Sequence, residues 1–112
     1  MKKLKIFLPL FMAVLWVSPA QSATDNQLSA IEKMGALNGV ALQCRYMDQM
    51  QRIKLSLVLH LPKQRALGDW FEKTTNTSFM DFMGDDESCP DSLDFVEQVD
   101  AAIKEIELAF KK

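Results

Sequence analysis

Histidine occurs once in this chain, at His60, and cysteine twice, at Cys44 and Cys89. A single histidine excludes a histidine pair for zinc. The lack of any Cys-x-x-Cys excludes the usual dithiol redox and haem-attachment motifs. No serine stands in a recognisable nucleophile motif. There are no internal repeats and no low-complexity segments, and from Thr74 to Ile103 there is no Lys or Arg. After residue 23 there is no apolar run long enough to cross a bilayer, so no membrane span is expected in the processed chain.

What is present starts at the N-terminus. Lys2, Lys3 and Lys5 precede an apolar run from Ile6 to Val17 that only Pro9 interrupts. Ser18-Pro19-Ala20 and Ala20-Gln21-Ser22 then supply small residues where a signal peptidase reads them. Residues 1–23 read as a secretory signal peptide, with cleavage near 20–23, too short for a transmembrane helix. No cysteine follows the apolar run to carry a lipid. A soluble, periplasmic or secreted product of about 90 residues is expected, forming a single domain over residues 24–112. Removing the three leader lysines from 13 basic residues leaves 10 against 15 acidic ones, a net charge of −5. That balance argues against nucleic acid and against anionic membrane surfaces as partners.

A domain this small buries only about 60–65% of its unfolded surface, so a covalent constraint helps it. An oxidising compartment would supply one through Cys44 and Cys89, the single intramolecular pairing available. The alternatives are an intermolecular bridge or two free thiols. Closing a loop of this length stabilises a fold by roughly 4 kcal/mol in the chain-entropy model.

Apolar residues recur at steps of three and four in Leu28, Ile31, Met34, Leu37, Ala41, Cys44, Met47, Met50, Ile53 and Leu57. The pattern predicts one long helix, continuous or gently kinked at Gly35 and Gly39, with Thr24-Asp25-Asn26 as its N-cap region; the alternative is that Asn38-Gly39 ends a first helix and a second starts at Val40. Two glycines four apart would leave a groove that lets another helix approach closely. Residues 53–61 alternate in twos and invite a strand, but no second strand exists to pair with it. They are read as the buried end of the long helix, stopped by Pro62. Ala66, Leu67, Trp70, Phe71 and Thr74 predict a short helix, Thr74 to Ser78 a polar break, and Phe79 to Met83 a further turn or two. Gly84 to Pro90 reads as an acidic loop. Asp91 or Ser92 caps a last helix whose core stripe is Leu93, Val96, Val99, Ile103, Ile106 and Phe110. The fold class is therefore all-α: a small antiparallel bundle of three to four helices, stapled by one disulfide from the middle of the long helix to the start of the last.

Charge is unevenly placed. Asp81, Asp85, Asp86, Glu87, Asp91, Asp94, Glu97 and Asp100 are acidic, whereas Arg45, Arg52, Lys54, Lys63, Arg65 and Lys73 gather earlier. Either the two zones face each other or are solvated, or the acidic one docks a basic partner. Beside it, Ser78-Phe79-Met80-Asp81-Phe82-Met83 is apolar on nearly all sides. Phe79, Met80, Phe82 and Met83, rimmed by Asp85, Asp86 and Glu87, form the expected partner-binding surface. The plainer reading is that they plug the end of the bundle.

Two further chemistries fit less of the chain. Met47 with Met50, and Met80 with Met83, are each spaced i, i+3 on a helix, and His60 could join them in a Cu(I) site. Against that, Met is a common gap-filler in cores, and a histidine before Leu61-Pro62 serves as a partner for the helix C-terminus. Carboxylates are numerous enough for a small hydrolase, but none is singled out.

The layout resembles the acid-stress periplasmic chaperones of the HdeA type: a small exported helical protein, one disulfide, and a last helix starting just after the second cysteine. Only that layout and the final 25 or so residues are similar. The expectation is an exported non-catalytic protein, not an enzyme and without a cofactor, that binds another protein as a chaperone, inhibitor or immunity-type antagonist. A homo-oligomer is compatible with it. The alternative is a methionine-based Cu(I) binder, and the third is the carboxylate hydrolase.

Overall fold

The computed structural model describes residues 22–85 and 88–111. The signal-peptide reading, apart from Ser22 and Ala23, and the roles expected of Asp86 and Glu87 lie outside the described residues. Four helices carry the fold: α1 (Asp25–Cys44), α2 (Met47–His60), α3 (Arg65–Asp85) and α4 (Ser92–Ala109). Among the described residues there is no strand, and the architecture is the small all-α bundle that the periodicity predicts. None of these helices is long and apolar enough to cross a membrane.

Local chemistry explains where the helices start. The Thr24 hydroxyl accepts from the Gln27 N–H at 3.1 Å, and the Gln27 side chain accepts from the Thr24 N–H at 3.0 Å. This capping box satisfies two donors that a helix start leaves orphaned. The Asp91 carboxylate accepts from the N–H groups of Leu93 and Asp94 and opens α4 in the same way.

The long first helix is two helices. α1 runs unbroken through Gly35 and Gly39, as the register implies, but stops at Cys44. Arg45 adopts a left-handed conformation with φ of 62°, and its N–H returns to the Ala41 carbonyl. Tertiary anchors fix this corner. Cys44 is bonded to Cys89 with the two Cα atoms 5.7 Å apart. The Tyr46 hydroxyl donates to the Pro90 carbonyl at 2.6 Å, and its ring lies 5.2 Å from that of Phe95. The disulfide thus ties the C-terminal end of α1, not the middle of a longer helix, to the approach of α4. Residues 53–60 are helical, so the strand reading falls. The buried-end reading holds only for Ile53, Ser56 and Leu57, because Leu55, Val58 and Leu59 are exposed.

The polar break expected at Thr74 to Ser78 is also absent; α3 is one helix through Asp85, and Gly84 lies within its last turn. These small polar residues sit where α3 crosses the glycines of α1. A Cβ on Gly35 would overlap the Thr74 side chain, and one on Gly39 would lie 2.7 Å from both Ser78 and the Thr75 carbonyl. The Ser78 hydroxyl donates to the Ala36 carbonyl at 2.7 Å, and the Asn38 amide donates to Thr75 Oγ1 at 3.3 Å. The groove expected from the Gly35–Gly39 spacing is therefore real, and α3 fills it.

Cross-helix pairs set the directions. Trp70 donates to the Leu28 carbonyl and Ser78 to that of Ala36, so α3 runs parallel to α1. Gln27 meets the Ala109 carbonyl and Lys33 meets Glu105, so α4 runs antiparallel to α1. Arg52 pairs with Asp100, and His60 lies 3.8 Å from Glu107, which makes α2 parallel to α4. Among the described helices α1 is the hub: its backbone approaches those of all three others, that of α2 also approaches α4, and that of α3 approaches α1 alone, while Leu67 of α3 reaches the shared core.

The core joins Ile31, Met34 and Ala41 of α1 to Ile53 of α2, Leu67 of α3, and Phe95, Val99 and Ile106 of α4. Two positions expected in it are outside: Met47 and Leu93 are exposed. Phe95 and Ala102 are buried on α4 in place of Leu93, while Ile103 packs half-buried against the core. The stripe 95–99–102–106 has helical spacing just as the expected one does, and the Tyr46 ring selects it by packing on Phe95.

A groove between α2 and α3 as the candidate functional site

The backbones of α2 and α3 stand apart and leave a groove between them. It has a volume of about 670 Å³. Asn38 and Leu42 of α1 are at its base, Leu57 and Val58 of α2 with Leu61 just after it form one wall, and Leu67, Phe71 and Thr75 of α3 form the other. Pro62, Lys63 and Gln64 lie at one end, and Lys54 and Glu72 stand among the apolar walls. The volume and the apolar lining fall within the usual range of binding sites.

Two details of the groove have no explanation within the chain. Asn38 is 3% exposed, and while its amide nitrogen reaches Thr75, its Oδ1 has no partner among the described residues. A buried acceptor left unpaired costs about 1–3 kcal/mol. Gly68 is the second. A glycine inside a helix costs roughly 1 kcal/mol relative to alanine. At Gly35 and Gly39 the missing Cβ makes room for α3, but at Gly68 it would meet nothing within 4 Å.

The residues expected to bind a partner are split by the helix they share. Phe79 follows Thr75 by four positions, and Met83 follows Asn76 by seven, so both continue the groove face of α3. Phe82 and Asp81 instead line a smaller cleft on the other side of the α1–α3 pair, beside Val40 and Trp70. Met80 and Met83 are exposed, whereas Phe79 and Phe82 are half-buried. Asp85 closes α3 and is exposed.

The methionine set is dispersed. Met47 lies beside Leu93 and Val96, between the starts of α2 and α4, and Met50 packs against the core. Met80 and Met83 are on α3, whose backbone does not approach that of α2. His60 is 13 residues from Met47 along α2, about 20 Å of helical rise. Among the described residues, Met80 and Met83 are the one methionine pair left exposed. Among the described residues no three His, Cys, Asp or Glu side chains are grouped to hold a metal ion. The carboxylates are dispersed as well: Asp91 caps α4, Asp100 pairs with Arg52, Glu105 pairs with Lys33, and Glu72 is the one that lines the groove. The Arg52–Asp100 pair joins the basic and acidic zones at one point.

Sequence reasoning missed Asn38, Val58 and Gly68. One signal for Val58 was present: a leucine-rich alternation on a helix puts apolar side chains all around it, more than a single core contact can cover. Matched against family models, curated proteins and solved structures, the chain is similar to none of them.

Proposed function

We propose that the chain is an exported, non-catalytic protein that binds another protein, and that the α2–α3 groove receives an amphipathic helix of that partner. The observation that carries this reading is the groove itself: apolar walls from α2 and α3 that leave Val58 open. A helix laid between α2 and α3 would contact both and cover Val58, which is 74% exposed. Chaperone, inhibitor and immunity-type roles all use such a surface. The N-terminal leader pattern and the Cys44–Cys89 bond support export to an oxidising compartment, with the periplasm as the working site.

The test is site-specific photo-crosslinking in the exporting cell. A photoreactive residue at Val58 should join the chain to a discrete partner, whereas one at Lys104 on the exposed side of α4 should not. Val58→Asp should weaken recovery of that partner at least tenfold with the melting temperature unchanged. Recovery of the same partner by Val58→Asp at wild-type yield would overturn the reading.

A further inference from the structure

We propose that in the free protein the groove is filled by α3 of a second copy, in a two-fold, antiparallel pairing of the two α3 helices. This rests on the reading of the groove as a helix-docking site and names its occupant when no other partner is bound. The argument starts from Gly68. Its absent side chain opens space into the groove, and nothing in its own chain uses that space. On the same face of α3, two turns beyond the middle of the groove, Met83 is 54% exposed. An antiparallel register that sets Gly68 of one copy opposite Met83 of the other is self-complementary. It repeats on both sides of the axis, sets Glu72 opposite Phe79, and places Thr75 opposite Asn76 at the centre.

That centre is polar. Asn38 is bonded to Thr75 and buried beneath it, and the register brings the exposed Asn76 of the second copy to Thr75. A single buried polar contact at the middle of an apolar helix pairing fixes register and orientation.

Charge points the same way. Lys63 and Arg65 stand at the start of α3 and Asp85 at its end, with no acid in its first turn and no base in its last. This is the reverse of what the helix dipole favours. None of the three is in an ion pair among the described residues. An antiparallel second α3 brings the acidic end of each copy to the basic end of the other, which steers the pair into register.

The experiment is sedimentation equilibrium of the processed, disulfide-intact chain across a concentration series. The expected result is a reversible dimer. Gly68→Leu fills the open space and should raise the dimer dissociation constant at least tenfold. The monomer should remain folded, since leucine is a better helix former than glycine. Adding Met83→Ala to Gly68→Leu should recover most of that loss, because it removes the side chain that the leucine displaces. A chain that stays monomeric throughout, while Val58→Asp still weakens recovery of the partner, overturns the second-copy inference and leaves the groove reading standing. A dimer indifferent to both Gly68→Leu and Val58→Asp uses another face and also overturns the inference. Rescue by the double variant is the outcome that only the proposed register produces.

Discussion

Gly35 of α1 and Thr74 of α3 occupy one crossing point, so closely that a Cβ on Gly35 would overlap the Thr74 hydroxyl. The absence of a side chain is what lets α3 lie this closely against α1, the one described helix that its backbone approaches. In an open helix Gly→Ala would gain about 1 kcal/mol. Here Gly35→Ala should instead lower stability by about 1–3 kcal/mol through overpacking. Gly84 has nothing within 4 Å of its would-be Cβ and serves as the control. Gly84→Ala should be neutral or stabilising by up to about 1 kcal/mol. Urea denaturation of the two variants measures both, and a higher midpoint for Gly35→Ala would mean the helices are not in this contact.

The Cys44–Cys89 bond closes a loop with a sequence separation of 45 and joins the end of α1 to the approach of α4. Its loss should cost roughly 4 kcal/mol. In a domain of this size each kcal/mol moves the melting temperature by roughly 4–8 °C, so reduction should lower it by roughly 15–30 °C. Thiol titration of the native protein should find no free cysteine until it is unfolded and reduced. Two reactive thiols in that preparation would contradict the bond.

Arg45 is the one residue with positive φ among those described that is not glycine. An L-residue pays about 1–2 kcal/mol to stand in the left-handed region, and glycine does not. Arg45→Gly should therefore stabilise the chain by about 0.5–1 kcal/mol, the lower end reflecting the greater freedom glycine has when unfolded. Arg45→Val should destabilise it by more, since β-branching worsens the same clash. Thermal melts of the two variants should separate in opposite directions from wild type.

The corner at Arg45 shows why part of this fold could be read from sequence and part could not. The helical steps from Leu28 to Ala41 and the spacing of Gly35 and Gly39 carry their own meaning, because one helix suffices to display them. The break after Cys44 has no glycine or proline to mark it. It is set by Cys89, Pro90 and Phe95, which lie more than forty positions away. Thr74 to Ser78 misled in the opposite sense. In isolation a run of small hydroxyl residues suggests a break, and only opposite Gly35 and Gly39 does it become a packing surface. The groove belongs to this second kind. No single segment shows it, because it exists only where α3 leans on α1 and not on α2.

The alternation at Ile53, Leu55, Leu57 and Leu59 gives the most direct check on how α2 sits. A strand would put all four on one face. The helix buries Ile53 and Leu57 in the core and leaves Leu55 and Leu59 exposed. Ile53→Ala should cost about 2–4 kcal/mol, because its side chain is fully enclosed and the cavity cannot refill. Leu57→Ala should fall somewhat below that, at the core's edge. Leu55→Ser and Leu59→Ser should each change stability by less than about 0.5 kcal/mol, as surface positions do. The four unfolding curves therefore fall into an alternating high–low order along the chain. Equal losses at all four would place the whole run in an interior and would refute this orientation of α2. If Leu55→Ser and Leu59→Ser were the costly pair, α2 would be rotated by half a turn, and the wall of the groove would be built from other residues.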